Sequence, residues 1–156
     1  FLGCEDVPWA NRKIGAGAPP IKTKHGWLLI FHAVDDDPER VKMCVGGRTW
    51  SKRYTSGAAL FDLQDPTKLI AITKQPLLAP EAPYETGDPN LWAEMTVFPC
   101  GAILEDDNET LRIYYGAGDC STCLATTTLS ELISIMTPCS RIAETATIPF
   151  RIEDWK

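Results

Sequence analysis

Between Lys13 and Val34 the chain reads Lys-Ile-Gly-Ala-Gly-Ala-Pro-Pro-Ile-Lys-Thr-Lys-His-Gly-Trp-Leu-Leu-Ile-Phe-His-Ala-Val. No other stretch limits the fold as much. Pro19 and Pro20 each fix φ and push the preceding residue towards extended backbone, so no helix can run through them. Trp27 to Val34 is an unbroken apolar and aromatic run, bounded by Gly26 and by Asp35-Asp36-Asp37, which is the pattern of a buried strand. The segment therefore predicts one short β-hairpin, with Lys13 at the mouth of the glycine-proline loop and His32 near the end of the core strand. Two cationic donors converging from a strand end and a glycine-rich loop form a candidate anion site. A histidine in an apolar strand is more often a structural residue, and a glycine-rich loop is usually a plain turn.

At 156 residues the chain can build one domain with its own core. A net charge of −6 and the absence of any basic stripe argue against nucleic acid as a partner. No apolar run approaches membrane-spanning length. The chain opens on Phe1 in mid-pattern, without a signal sequence or an initiator methionine, and reads as one piece of a longer, cytoplasmic protein. Its six cysteines are too few and too irregularly spaced for a disulfide scaffold. Cys120-Ser-Thr-Cys123 has no second cysteine pair to complete a zinc site, and it leads into a β-prone run rather than a helix. Reduced thiols and no metal are expected.

Strand signals dominate the remainder. Strands are predicted near 27–34, 57–63, 69–72, 95–104 and 111–116, and 124–128 is β-prone. An acidic, glycine-containing excursion is expected over Asp35–Arg53, and a long proline-rich loop over Pro76–Asn90. Helix is confined to Ser130–Met136. The unit leading through Gly26–His32 to Gly57–Leu63 is echoed by the one leading through Leu111–Gly116 to Cys123–Leu129. Repeated antiparallel units of this kind suggest propeller blades of four strands, although strand counting also fits a β-sandwich.

Specific pieces then line up in order. They are Lys13-Ile-Gly-Ala-Gly-Ala-Pro-Pro-Ile-Lys-Thr, Gly26-Trp-Leu-Leu-Ile-Phe-His32 and Tyr54-x-x-Gly57-Ala-Ala-Leu-Phe-Asp-Leu63, followed by Asp65-Pro66-x-Lys68, Leu77-Leu-x-Pro-Glu81 with Tyr84-Glu85, Val97-Phe-Pro-Cys-Gly101 and Tyr114-Tyr-Gly-Ala-Gly-Asp119. Together they resemble glycoside hydrolase family 130, the inverting mannoside phosphorylases, over nearly the whole chain from about Trp9 to Arg151. The resemblance implies an all-β, five-bladed β-propeller, of which residues 1–156 form a single partial domain supplying roughly the last two to three blades. The tail Leu124-Ala-Thr-Thr-Thr-Leu-Ser-Glu-Leu-Ile133 with Thr137-Pro138 looks more like the 4-O-β-D-mannosyl-D-glucose phosphorylase branch than the mannooligosaccharide branch.

In that family phosphate attacks the anomeric carbon of a β-mannoside and releases α-mannose 1-phosphate. Such chemistry needs cationic donors aimed at phosphate oxygens. By resemblance, Lys13, His32 and Tyr54 bind phosphate, and Asp119 binds sugar hydroxyls. Trp50 and Trp92, in loops, are candidates for stacking on an acceptor sugar. The family's general acid belongs to the missing N-terminal half, so no catalytic residue is assigned here and the piece alone should be inactive. Asp35, Asp36 and Asp37 read as a solvated acidic run, and Asp62, Asp106 and Asp107 as turn residues. The implied partners are a β-mannoside and inorganic phosphate as co-substrate, with no further cofactor, and a homo-oligomer of the full-length protein is allowed. The competing readings are a β-mannosidase of the same family using water, and a non-catalytic carbohydrate-binding propeller fragment.

Overall fold

The unbroken apolar run becomes the spine of the molecule. In the computed structural model, which describes residues 2–40, 42–43, 49–86 and 95–142, strand β3 (Gly26–Asp36) pairs antiparallel with β6 (Lys52–Phe61) from Trp27↔Phe61 to Asp36↔Lys52. Side chains alternate across a strand, so Leu28 and Ile30 face one way and Phe31 and Ala33 the other. Both faces are covered. Leu28, Ile30, Ala58 and Leu60 pack with Leu111, Ile113, Leu129 and Leu132. On the reverse side Phe31, Ala33, Ala59 and Phe61 pack with Val7, Ala10 and Ile72. Burial on both faces is why the sequence shows continuous apolarity instead of an apolar–polar alternation. Full burial of Phe31, Leu28 and Ile30 contributes roughly 1.5–3 kcal/mol each.

Strands β1 (Lys13–Ala16) and β2 (Ile21–Thr23) lie end to end along the same edge of β3, paired as Lys13↔Val34 to Ala16↔Phe31 and as Ile21↔Leu28 to Thr23↔Gly26. The expected hairpin turn is thereby relocated. Reversal occurs at Lys24 and His25, where Thr23 Oγ1 accepts hydrogen bonds from the N–H groups of His25 (3.1 Å) and Gly26 (3.2 Å). The 17–20 segment is instead an interruption of an edge strand, because Pro19 and Pro20 have no N–H to give the ladder. Gly17 permits this close passage: a Cβ there would lie 2.6 Å from the Ile30 carbonyl oxygen.

Strand β7 (Lys68–Thr73) follows β6, and β11 (Met136–Ile142) closes the sheet in the order β1-β3-β6-β7-β11. A second sheet is ordered β10-β9-β8, from β8 (Val97–Leu104), β9 (Thr110–Ala117) and β10 (Ser121–Thr128). A two-stranded ribbon joins β4 (Lys42–Met43) to β5 (Thr49–Trp50). The helices are short, α1 (Pro83–Thr86) inside the proline-rich connection and α2 (Leu129–Ser134). No helix among the described residues is long and apolar enough to cross a membrane.

The all-β, antiparallel expectation holds, and among the described residues the strands divide unequally between two sheets. The first sheet is five strands deep and the second three. The cause lies in α2. Thr128 and Glu131 form a reciprocal capping box, in which the Thr128 hydroxyl accepts from Glu131 N–H and the Glu131 carboxylate accepts from Thr128 N–H, which starts the helix. Leu129 and Leu132 are buried in the core between the sheets, and the chain re-emerges with Met136 opposite Thr73. The segment after the second sheet thus joins the edge of the first. The helix predicted to reach Met136 ends at Ser134 for the same reason.

The acidic excursion is also shorter than expected. The β3–β6 ladder continues through Asp35↔Arg53 and Asp36↔Lys52. Asp35 is buried rather than solvated, with its carboxylate held by Arg40 Nη2 at 2.7 Å and Arg53 Nε at 3.0 Å. The two arginines offset part of the desolvation cost that made this stretch read as surface. Asn11 clamps the next residue, giving its amide to the Asp36 carbonyl and accepting from the Asp36 N–H.

Candidate functional site

Pairing register alone brings most of the predicted site residues to one sheet face. Lys13 pairs with Val34, which pairs with Tyr54, while Gly15 pairs with His32, which pairs with Ser56. Directly opposed residues share a face, and residues two apart on a strand share it too. Lys13, His32 and Tyr54 therefore project together, although 41 positions separate the first from the last in the chain. The shared face looks towards the second sheet. The Tyr54 N–H donates to the Met95 carbonyl at 2.8 Å, and a parallel bridge joins Tyr54 to Thr96.

The second sheet supplies the far wall. Gly118 N–H donates to the Thr96 carbonyl at 3.0 Å, which draws the turn between β9 and β10 up to the junction. Within that turn Gly118 and Asp119 both adopt positive φ, 55° and 54°, a region that aspartate tolerates better than most residues. Lys13, Trp50, Tyr54, Thr96, Phe98 and Asp119 line a cleft of about 190 Å³. A larger, almost wholly apolar groove of about 690 Å³ lies along Ala16–Pro20, Trp27, Leu29, Phe61 and Pro66. It has no charged group with which to do chemistry.

Within the cleft the Lys13 ammonium stands 5.0 Å from the centroid of the Tyr54 ring, a favourable cation–π placement. Trp50 stacks alongside Tyr54 with ring centroids 6.2 Å apart and planes 14° apart, while Lys52 Nζ sits 5.5 Å from the Trp50 ring. The buried indole N–H of Trp50 has no hydrogen-bond partner among the described residues. Asp119 is exposed, and its carboxylate makes no hydrogen bond to the described residues. A turn-capping role for it finds no partner. Asp62 and Asp107 behave differently: Asp62 accepts from the N–H groups of Gln64 and Asp65, and Asp107 from those of Glu109 and Thr110. Both are turn residues, as expected.

His32 sits beside the cleft rather than in its wall. It is 9% exposed and lies against Phe98 with ring centroids 4.4 Å apart. Its Nδ1–H donates to the Ala16 carbonyl at 2.8 Å. The ring can occupy this place only because residue 15 is glycine. A Cβ there would fall 2.2 Å from His32 Cε1 and 2.5 Å from Nε2. Burial lowers the His32 pKa below its ordinary value of 6.5, opposed by the Ala16 hydrogen bond and reinforced by the nearby Lys13 charge. The ring is therefore neutral at pH 7. The expected pair of cations reduces to one, Lys13.

The matching family model, glycoside hydrolase family 130, is described as β-1,4-mannooligosaccharide phosphorylase and covers residues 3–138. The chain belongs to this family. It is 42% identical over 113 residues to a 1,2-β-oligomannan phosphorylase of Thermoanaerobacter sp. (strain X514), covering 71% of this chain and 31% of that protein. It is 39% identical over 133 residues to a β-1,2-mannobiose phosphorylase of Listeria innocua, covering 85% and 32%. It is 33% identical over 121 residues to a 4-O-β-D-mannosyl-D-glucose phosphorylase of Bacteroides fragilis, covering 78% and 27%. The solved structure of the Listeria innocua enzyme in complex with β-1,2-mannobiose superposes with a TM-score of 0.61 at 39% identity, over 78% of this chain and 29% of that one. The chain thus spans about a third of the length of the curated relatives it matches.

Set in this family-130 chain, Thr96 and Phe98 are cleft residues that sequence reasoning left unassigned. Phe98 stood inside the Val97–Gly101 motif, but nothing in one sequence pairs it with His32 across two sheets. Glu85 is a second omission. Only 6% exposed, it accepts hydrogen bonds from the N–H groups of Glu81 and Ala82, both at 2.9 Å, and from the Tyr115 hydroxyl at 2.7 Å. Its own carbonyl accepts from Thr96 N–H at 3.0 Å. Glu85 thereby ties the connection after β7 to the strand that carries the cleft. Burial raises the Glu85 pKa, but these donors outweigh it and hold the carboxyl below its ordinary value. Burial and the neighbouring carboxylate push the Tyr115 phenol the other way, upwards. No group of three or more His, Cys, Asp or Glu residues placed to hold a metal occurs among the described residues. Trp92 lies outside them.

Proposed function

We propose that this chain is the part of an inverting β-mannoside phosphorylase that carries the phosphate-binding ammonium and a sugar-binding carboxylate, within a five-bladed propeller whose earlier blades precede it. The observation that carries this reading is the meeting of Lys13, Tyr54 and Asp119, from two sheets, on one cleft. A phosphorolytic site has to hold an anion and a neutral sugar side by side. An ammonium pairs with phosphate oxygens, and the Tyr54 hydroxyl can donate to the same anion. A carboxylate accepts from sugar hydroxyls and repels phosphate, so the two charges sort the two substrates to opposite walls. In a single inverting displacement phosphate takes the place of the activated water, and one general acid protonates the leaving oxygen. Among the described residues of the cleft the carboxylate is Asp119, which this reading assigns to sugar binding; the acid belongs to the preceding blades.

The β-1,2-, β-1,4- and mannosyl-glucose phosphorylases among the relatives support a β-mannoside as substrate. The test is incubation of the complete protein with β-1,2-mannobiose, β-1,4-mannobiose or mannosyl-glucose and inorganic phosphate, followed by phosphorus NMR. Phosphate-dependent formation of α-mannose 1-phosphate is expected. Mannose release that ignores phosphate would mean a mannosidase, and no release with any of the three would leave a sugar-binding module.

A further inference from the structure

We infer that Glu85 and Tyr115, neither of which lines the cleft, are positioning residues for Asp119. Together they close a hydrogen-bonded clamp that holds the Asp119 turn in place for the mannoside and has no part in binding phosphate. The inference rests on the reading of Asp119 as the sugar-binding carboxylate and concerns what fixes that carboxylate.

Asp119 does not fix itself. It is exposed, its carboxylate makes no hydrogen bond to the described residues, and its backbone sits at a φ of 54°. Its place is therefore inherited from the backbone of the turn. Gly118, buried just before it, is anchored by its N–H to the Thr96 carbonyl at 3.0 Å, and the Thr96 N–H donates to the Glu85 carbonyl at 3.0 Å. At its other end Glu85 accepts on Oε1 from the Tyr115 hydroxyl at 2.7 Å. Tyr115 stands on β9 just ahead of Gly118, so the path returns to the turn and the ring is closed. Glu85 itself is held by the Glu81 and Ala82 N–H groups on its second carboxylate oxygen, both at 2.9 Å. Glu85, Thr96 and Tyr115 are all buried, where hydrogen bonds reinforce one another and water does not readily replace a lost partner.

The phosphate side does not hang on this clamp. Lys13 is placed by the β1–β3 ladder and Tyr54 by the β3–β6 ladder. The connection after β7 is fastened to that sheet on its own account: Leu77 N–H donates to the Ser56 carbonyl at 2.7 Å, and Ser56 N–H to the Leu78 carbonyl at 2.8 Å. Loosening Glu85 from Tyr115 thus frees the Asp119 turn while the strands that carry the ammonium stay in register. Thr96 keeps its own tie to β6 through the bridge to Tyr54, so the turn is loosened rather than released. A carboxylate that must meet sugar hydroxyls at hydrogen-bond distance tolerates little drift. The loss falls on one substrate.

The experiment uses the complete protein, with initial rates measured as β-mannoside and phosphate are varied in turn. Tyr115→Phe, assayed below its melting temperature, should raise the Michaelis constant for the mannoside about fivefold, a fraction of the roughly hundredfold that a 1 Å misplacement can cost. The constant for phosphate should not change. Ile72→Val, which opens a small cavity on the opposite face of the first sheet, controls for destabilisation and should change neither constant. In an Asp119→Asn background Tyr115→Phe should add little, because the two changes act on one contact. In the unsubstituted protein a saturating mannoside should slow hydrogen exchange at the Glu81 and Ala82 N–H groups by up to the same factor, since coupling is reciprocal, and phosphate should not. That measurement decides the matter even where Tyr115→Phe fails to fold. An unchanged mannoside constant in Tyr115→Phe, equal rises for both substrates, or the same rise in Ile72→Val would overturn the inference. So would a full multiplicative effect on top of Asp119→Asn, or exchange at Glu81 and Ala82 that ignores the mannoside. If the protein makes α-mannose 1-phosphate and any of these results appears, the inference falls and the proposed function stands. If no phosphorolysis occurs, or Asp119→Asn leaves the mannoside constant unchanged, the reading beneath it falls first and takes the inference with it.

Discussion

Replacing Tyr115 with phenylalanine removes a single oxygen, and the structure sets both the size and the pH dependence of the loss. The Tyr115 hydroxyl donates at 2.7 Å to Glu85 Oε1, while the other carboxylate oxygen keeps two backbone N–H donors. A hydrogen bond to a charged group is worth about 1.5–3 kcal/mol. Glu85 is 6% exposed and Tyr115 7% exposed, so water cannot readily replace the hydroxyl. Tyr115→Phe should therefore destabilise the complete protein by about 2 kcal/mol at neutral pH. The sign with pH follows from the lowered Glu85 pKa. A carboxyl depressed on folding contributes stability above its unfolded pKa and loses it as pH falls through the folded value. The difference between wild type and variant should be full at pH 7. It should shrink below the ordinary glutamate range, towards the roughly 1 kcal/mol of a neutral bond. Urea unfolding at a series of pH values measures it, with Tyr114→Phe as control, since the Tyr114 side chain is exposed and its change should stay within about 0.5 kcal/mol. Equal stability of wild type and Tyr115→Phe at neutral pH would refute the reasoning. So would a loss that does not diminish in acid.

Lys13→Ala should raise the Michaelis constant for phosphate at least about tenfold, the equivalent of one charge-assisted hydrogen bond, and leave that for the mannoside nearly unchanged; initial rates with each substrate varied in turn decide this. Asp119→Asn should do the reverse, raising the Michaelis constant for the sugar, because asparagine tolerates the positive φ while losing the anionic acceptor; an unchanged sugar constant would remove Asp119 from the site. Gly15→Ala should displace the His32 ring, since its Cβ would sit 2.2 Å from Cε1, and overpacking of this kind costs about 1–3 kcal/mol; loss of the wild-type His32 ¹⁵N signature alongside a lower melting temperature is the expected result. Asp35→Ala should cost about 1.5–3 kcal/mol, because Arg53 loses its carboxylate and Arg40 is left with the longer contact to Asp37 at 3.5 Å, read by urea unfolding.

What the sequence determined by itself is local and periodic. The run from Trp27 to Val34 had to be a strand because its apolarity is continuous and its ends are a glycine and three aspartates. A short helix just after Leu129 was legible as the one helical stretch among strand signals, expected over Ser130–Met136, while its capping box and its end at Ser134 were read only from the structure. Lys13, Tyr54 and Asp119 could be singled out because they stand within ordered family motifs. Tertiary structure decided everything that depends on who lies opposite whom. A ladder ten residues long turned Asp35 from a solvated charge into a buried one, because its two arginine partners arrive from an excursion and from the facing strand. Pairing of β11 with β7, not with a fourth strand of the second sheet, depends on where α2 buries its leucines. The charge of His32 was invisible in the chain: a histidine keeps or loses its second proton according to its burial, the carbonyl beneath it and the ammonium beside it. Those neighbours are brought together only when β1, β3 and β6 fall into register and β8 is laid against them.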